Sequence, residues 1–358
     1  MTSTPIIPST LRILLIAACV VILIAGFKAA GAIILPILVA VFLAVICTPP
    51  VGWLQKVGLP DWAAVITVFL VILVIFVVLS VVVTSSISSF QGRLPEYEKQ
   101  MEEPISHIVN FLNEHDVNVS SSVIRDQFDS KKLTGLLSTG LSAVALVLSN
   151  TVLVMLTVVF VLAEAAVLPK KLRAMVGDPD ADVSWASNVL GDLRVYLAVK
   201  TQCSLLVAVT TTFFLWIAGV DYFVLWGLLA FLLNFIPTLG SIIAAIPPIV
   251  LSLILGGVTL GIIVAGWYLL INMAIGNFLE PKLMGRRLGL STLVVFLSMV
   301  FWGWVWGPVG MVLSVPLTMV IKILLEHTDD LKWLAILLGS ASEETDVQNG
   351  SPASASGG

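Results

Sequence analysis

Few side chains in this 358-residue chain could do chemistry, and the candidates sit inside or at the ends of apolar runs. Glu164 lies in VFVLAEAAVLPKK, one to two helical turns before a basic cluster. Glu280 closes the run GWYLLINMAIGNFLEP, in which Asn272, Gly276 and Glu280 recur at i, i+4 and i+8 and share one helix face. Asn277 lies within reach of that face. The third place is Asn234-Phe235-Ile236-Pro237-Thr238-Leu239-Gly240, where Pro237 removes a backbone donor and Gly240 permits unusual dihedrals.

An ionisable group within a membrane is a functional candidate by default, because burying it there is costly. Either carboxylate could bind a proton or contact a solute. The amides offer hydrogen bonds, and backbone groups freed at a helix break can face a solute, as in transporters with discontinuous helices. Each feature also has a structural reading. Glu164 could pair with Lys170 or Lys171, the amides could join helices to one another, and the proline break could be a plain turn. Trp302, Trp304 and Trp306 read as an interfacial aromatic belt.

Other chemistry is absent from the pattern. There is no GxxxxGK[ST] phosphate loop, no HExxH, and no ladder of arginines at every third position. His107, His115 and His327 are scattered, and Cys19, Cys47 and Cys203 have no metal-ligand spacing. No catalytic residue, metal site or cofactor is therefore expected. A net charge of −4 gives no basic footprint for nucleic acid.

The elements that must position these residues are membrane spans. The chain is 58% hydrophobic and only 11% charged, against about a quarter charged in a soluble domain. Residues 62–83 carry no charge and are long enough to cross the ~30 Å hydrocarbon core. The expected fold is all-α, a polytopic bundle of about eight spans drawn from ten hydrophobic segments, some of them re-entrant.

The expected organisation starts with a polar leader over 1–10 and spans one to three over 11–87, the second stopped by Pro49-Pro50. A polar helical insert covers 88–139 and span four covers 140–168. Residues 169–200 read as a cytoplasmic or interfacial amphipathic helix with Trp185, Val189, Leu193 and Tyr196 on one stripe. A C-terminal bundle of broken helices fills 201–327, and 328–358 is a tail expected to be disordered from about 340. The basic residues of 170–173 mark a cytoplasmic exit by the positive-inside rule. Parity then puts both termini inside and the acidic insert outside, with Lys28 as a small dissent.

The stretches GLLAFLLNFIPTLGSIIAAIPP (227–248) and INMAIGNFLEPKLMGRRLGLSTLVVFLSMVFWGWVWGPVGMVLSVPLTMVIK (271–322) closely resemble the autoinducer-2 exporter family of inner-membrane permeases. The resemblance runs from about residue 10 to 335. It implies a bacterial inner-membrane permease exporting the quorum-sensing signal autoinducer-2, a small hydroxyl-rich solute, by a secondary or facilitated mechanism. Other branches of that family resemble sodium/proton antiporters, so monovalent cation/proton exchange is the alternative, with protons or sodium as partners. A non-transporting membrane scaffold is the second alternative. The lipid bilayer and a homo-oligomer are the remaining expected partners.

Overall fold

The computed structural model describes residues 9–100, 151–165, 184–284, 289–326, 328 and 331–339, and every regular element among them is a helix. The chain opens with α1 (Ser9–Ala29), α2 (Gly31–Lys56) and α3 (Asp61–Gln100), followed by α4 (Thr151–Ala165). Next come α5 (Ser184–Ile217), α6 (Phe223–Leu233) and α7 (Leu239–Ile271). α7 runs into a π-helix, Asn272–Leu279, and then α8 (Glu280–Met284). α9 (Thr292–Glu326) and α10 (Lys332–Leu338) complete the order. This is the expected helical membrane bundle, and five of the described helices are long and apolar enough to cross a membrane. The expected insert is described only as far as Gln100, and the leader to residue 8, the 170–173 cluster and the tail from 340 lie outside the described residues.

Three helices run further than the sequence predicts. α2 passes through Pro49-Pro50 to Lys56. Proline's fixed φ is itself helical, so each costs a donor to the preceding turn without forcing the chain out. α3 continues past residue 87 to Gln100, a rod of about 60 Å and twice the hydrocarbon thickness. α5 runs unbroken through residue 200, where the sequence suggests a surface helix giving way to a span. Its stripe of Leu193, Tyr196 and Leu197 is buried beside Phe42 of α2 and Met319 of α9. The amphipathic period there marks a face packed on protein.

α7 and α9 are not straight rods. Gly257 (φ 66°, ψ −166°) breaks the first and Gly307 (φ 66°, ψ −151°) the second, both in backbone regions that favour glycine. A Cβ added at Gly261 would strike the Leu253 side chain, and one at Gly310 would strike the Trp302 carbonyl. Residues eight apart on a straight helix stand ~12 Å from each other, so each chain must double back. Trp302 Nε1 also reaches Thr318 Oγ1 at 3.4 Å, across 16 residues. Residues 239–255 and 258–271 thus form one antiparallel hairpin, and 292–306 and 308–326 another. Pro308 opens the second arm, where a helix needs no amide donor.

Two contacts tie the second hairpin's tip to the start of the bundle. Trp306 Nε1 donates to the Phe27 carbonyl at 2.9 Å, and Lys28 Nζ lies 4.2 Å from the centre of the Trp304 ring. Elsewhere small residues allow close approach: Ala40, Ala44 and Ala64 are almost fully buried in the α2–α3–α4 cluster. The largest buried cluster gathers α5, α6 and α7 around Trp226, Leu215 and Val264, and the candidate site lies in it.

Candidate functional site

One face of α5 sets the site. Lys200, Ser204 and Thr211 follow at i, i+4 and i+11, and all three are buried. α6 returns along this helix after the turn at Gly219. A Cβ at Gly227 would strike Thr212, and Asn234 Nδ2 donates to Ser204 Oγ at 2.9 Å. With 11 residues α6 is about 16 Å long, half the hydrocarbon thickness. It ends at Asn234.

The break after Asn234 is tight. The Ile236 amide donates to the Leu233 carbonyl at 2.8 Å and the Leu239 amide to the Pro237 carbonyl at 2.6 Å. The second bond closes a γ-turn centred on Thr238, at φ 55° and ψ −54°. This is the strained hand of the γ-turn, in a β-branched residue that rarely takes positive φ. A Cβ at Gly240 would run into the Leu233 carbonyl oxygen, so the turn needs glycine there. Ser241 Oγ donates to the Thr238 carbonyl at 3.1 Å.

A small pocket lies where this break meets the π-helix. Asn234, Ser241, Tyr268, Asn272 and Gly276 supply its polar or open wall, with Val207, Ala230, Ala244 and Ile271 as the apolar wall. Ala230 and Ala244 would be ~21 Å apart on a straight helix, so α6 and the first arm of α7 face each other across the break. The Tyr268 hydroxyl is buried and has no hydrogen-bond partner among the described residues. An unsatisfied buried hydroxyl is costly, which marks the pocket as a place where a polar guest gains most.

Next to the pocket sits an ion pair. Lys200 Nζ donates to Glu280 Oε1 at 2.6 Å, with side-chain exposures of 6% and 15%. Glu280 is the first residue after the π-helix, and its amide donates to the Ile275 carbonyl. Lys200 is one turn from Ser204, and Glu280 one turn from Gly276. The Asn234–Ser204 and Lys200–Glu280 contacts are therefore successive rungs between α5 and the broken elements. π-helical turns are rare and gather at functional sites.

The candidates named from sequence separate clearly in space. Asn234, Asn272 and Gly276 line the pocket, while Pro237 and Gly240 shape its turn. Glu280 faces Lys200, and Asn277 is exposed. Glu164 is exposed on α4, a helix packed on α2 and α3, and does not join the others. Among the described residues no group of three His, Cys, Asp or Glu could hold a metal ion. The sequence reading missed Lys200, Ser204, Ser241 and Tyr268. Lys200 ends the stretch read as a cytoplasmic or interfacial amphipathic helix, and the two hydroxyls and the phenol look like ordinary residues of an apolar run.

A second polar cluster ties α3 to the loop before α6. Arg93 Nη1 lies 2.8 Å from Asp221 Oδ2, and Tyr97 donates its hydroxyl to the same oxygen at 2.8 Å. The Trp226 indole donates to the Asp221 carbonyl at 2.9 Å, and Phe90 meets the Tyr97, Tyr222 and Trp226 rings. Burial, and then the hydrogen bond to Asp221, raises the Tyr97 hydroxyl well above the ordinary tyrosine range.

Residues 17–330 match the family described as AI-2E family transporter. The chain is 37% identical over 334 residues to the AI-2 transport protein TqsA of Escherichia coli strain K12, covering 93% of this chain and 97% of that one. It is 39% identical over 338 residues to a Haemophilus influenzae protein, covering 93% and 97% of the two chains. It is 38% identical over 332 residues to YhhT of Escherichia coli strain K12, covering 92% and 94%. The names of the last two assign transport only provisionally.

Proposed function

This chain belongs to the AI-2E family of transporters, and we propose that it exports a small polar solute, AI-2 itself foremost, by way of the pocket between Asn234 and the π-helix. The observation that carries this reading is the convergence of Asn234, Ser241, Tyr268 and Asn272 on one pocket inside an apolar bundle. These groups are neutral donors and acceptors, the complement of a hydroxyl-rich solute rather than of a free ion. TqsA, a relative across nearly the whole chain, is named for AI-2 transport.

The pocket has room for about one water molecule, so this conformation is closed to any larger solute. Passage then requires the α6–α7 break to part from the π-helix, a motion suited to elements whose hydrogen-bond ladders are already interrupted. The sequence has no phosphate loop, which favours secondary or facilitated export. On this reading the protein lies in a bacterial inner membrane with both termini cytoplasmic. The packing of the Phe27–Lys28 end of α1 on the Trp304–Trp306 hairpin tip puts the two on one side of the bundle, as that parity requires. A homo-oligomer would use outward apolar faces such as that of α1, which lipid otherwise covers.

Monovalent cation/proton exchange is a second reading, drawn from the half-buried Glu280 carboxylate. Lys200 already neutralises that group, which favours the solute carrier. Purified protein in proteoliposomes preloaded with AI-2 tests the proposal. Protein-dependent efflux, reduced in Asn272→Ala and Tyr268→Phe, is the expected result. Equal efflux from protein-free vesicles would reject it.

A further inference from the structure

Lys200 and Glu280 are two formal ions held in the interior of an apolar bundle. Such a pair is a poor stabilising device. Desolvating both ions offsets much of their attraction, and apolar replacements of similar volume often do as well. Its location is more informative. The pair is the next rung beyond Asn234–Ser204, one helical turn (~5 Å) along α5 and along the helix that carries Gly276. A solute leaving or entering the pocket along this face meets the pair next.

We infer that Lys200 and Glu280 determine the charge class of the transported solute, selecting neutral molecules with hydroxyls on adjacent carbons. The inference rests on the transport reading above and names the solute class for the same site. Together the two groups sum to zero charge. In the closed state each satisfies the other at 2.6 Å. When the pair opens, the Glu280 carboxylate can accept hydrogen bonds from two neighbouring hydroxyls while the Lys200 ammonium donates to a hydroxyl or carbonyl oxygen. A neutral diol thus exchanges one set of charge-assisted bonds for another. An anion or cation brings a third charge into a neutral, desolvated path and leaves one ion uncompensated.

Removing one partner should therefore reverse the selection in a predictable direction. Glu280→Gln leaves Lys200 as a net positive path and should admit anions. Lys200→Gln leaves Glu280 as a net negative path and should admit cations. A purely structural brace would lower all fluxes together without changing their ratio.

The test uses full-length protein in proteoliposomes and three matched probes: erythritol, erythronate and 1-amino-1-deoxyerythritol. Wild-type protein should pass erythritol at least about tenfold faster than either ion, because each ion leaves a charge unpaired in a desolvated path. Glu280→Gln should raise erythronate flux relative to erythritol, and Lys200→Gln should raise that of the amine. The swap Lys200→Glu with Glu280→Lys should restore the neutral preference. Wild-type flux of the ions equal to that of erythritol overturns the inference while leaving transport standing, and this arm needs no variant to fold. Unchanged flux ratios in well-folded single variants also overturn it. Absence of protein-dependent flux for all three probes and for AI-2 rejects the transport reading, and this inference with it.

Discussion

Asn234 and Ser204, 30 residues apart in sequence, share a buried hydrogen bond of 2.9 Å from amide to hydroxyl. The bond fixes the end of α6 to the middle of α5 and holds the break in register with the pocket. Ser204→Ala removes the acceptor and leaves the Asn234 amide buried without it. The expected cost is about 1–3 kcal/mol, the usual penalty for stranding a buried polar group. Thermal unfolding in detergent should show it as a lower midpoint, and AI-2 efflux should fall with it. An unchanged midpoint would mean that the amide finds another partner.

Thr238 offers the opposite sign. Its φ of 55° stores strain of about 1–3 kcal/mol in the folded chain. Thr238→Gly relieves it, offset by the larger unfolded-state entropy of glycine, about 0.5–1 kcal/mol. The net expectation is a gain of about 1 kcal/mol in unfolding stability, with slower efflux because the turn no longer holds Asn234 and Ser241 in place. Thr238→Ala, which keeps a Cβ, should not share the gain. Gly240→Ala should destabilise, since its Cβ meets the Leu233 carbonyl.

Tyr97 gives a pH signature outside the spans. Its hydroxyl pKa is raised from 10.0, first by burial and next by its bond to Asp221. A raised folded-state value means that the folded protein binds this proton more tightly than the unfolded chain. The contribution is thus fully present below the ordinary tyrosine pKa and is lost as pH climbs through the folded one. In an alkaline absorbance titration, wild type minus Tyr97→Phe should show a phenol ionising later than a free tyrosine. A difference curve centred at 10 would contradict the geometry around Asp221.

Much of this architecture was legible because punctuation in an apolar chain is conspicuous. Gly256-Gly257 and Gly307-Pro308 stand out between long runs, and both prove to be hairpin tips. Asn234–Gly240 stood out for the same reason and forms one wall of the pocket. The Lys200–Glu280 pair was not legible. Periodicity reports which face of a helix is apolar, and Lys200 sits where a surface helix and a membrane span have the same local pattern. Its partner lies 80 residues on, and no local rule joins them. The π-helix was hidden too, since a shift from i−4 to i−5 bonding leaves no mark in residue types. Asn277, within reach of the Asn272–Glu280 face by its spacing, is exposed.

The hairpin in α7 can be tested directly by cross-linking. A Cβ built at Gly261 stands 3.7 Å from the Leu253 Cα. On a continuous helix those two residues would be ~12 Å apart, well beyond the ~7 Å that a disulfide can span between Cα atoms. In a background with Cys19, Cys47 and Cys203 replaced, Leu253→Cys with Gly261→Cys should form an intramolecular disulfide on mild oxidation. Either single variant should not. Mass spectrometry of a digest would identify the linked peptide. A full yield of free thiols under oxidising conditions would require residues 239–271 to run straight. Ala230 and Ala244 could still face each other, but the Ser241 and Asn272 ends would lie ~46 Å apart rather than across one pocket. The cross-link therefore tests the hairpin and, through it, the meeting of the break with the π-helix on which the proposed solute site depends.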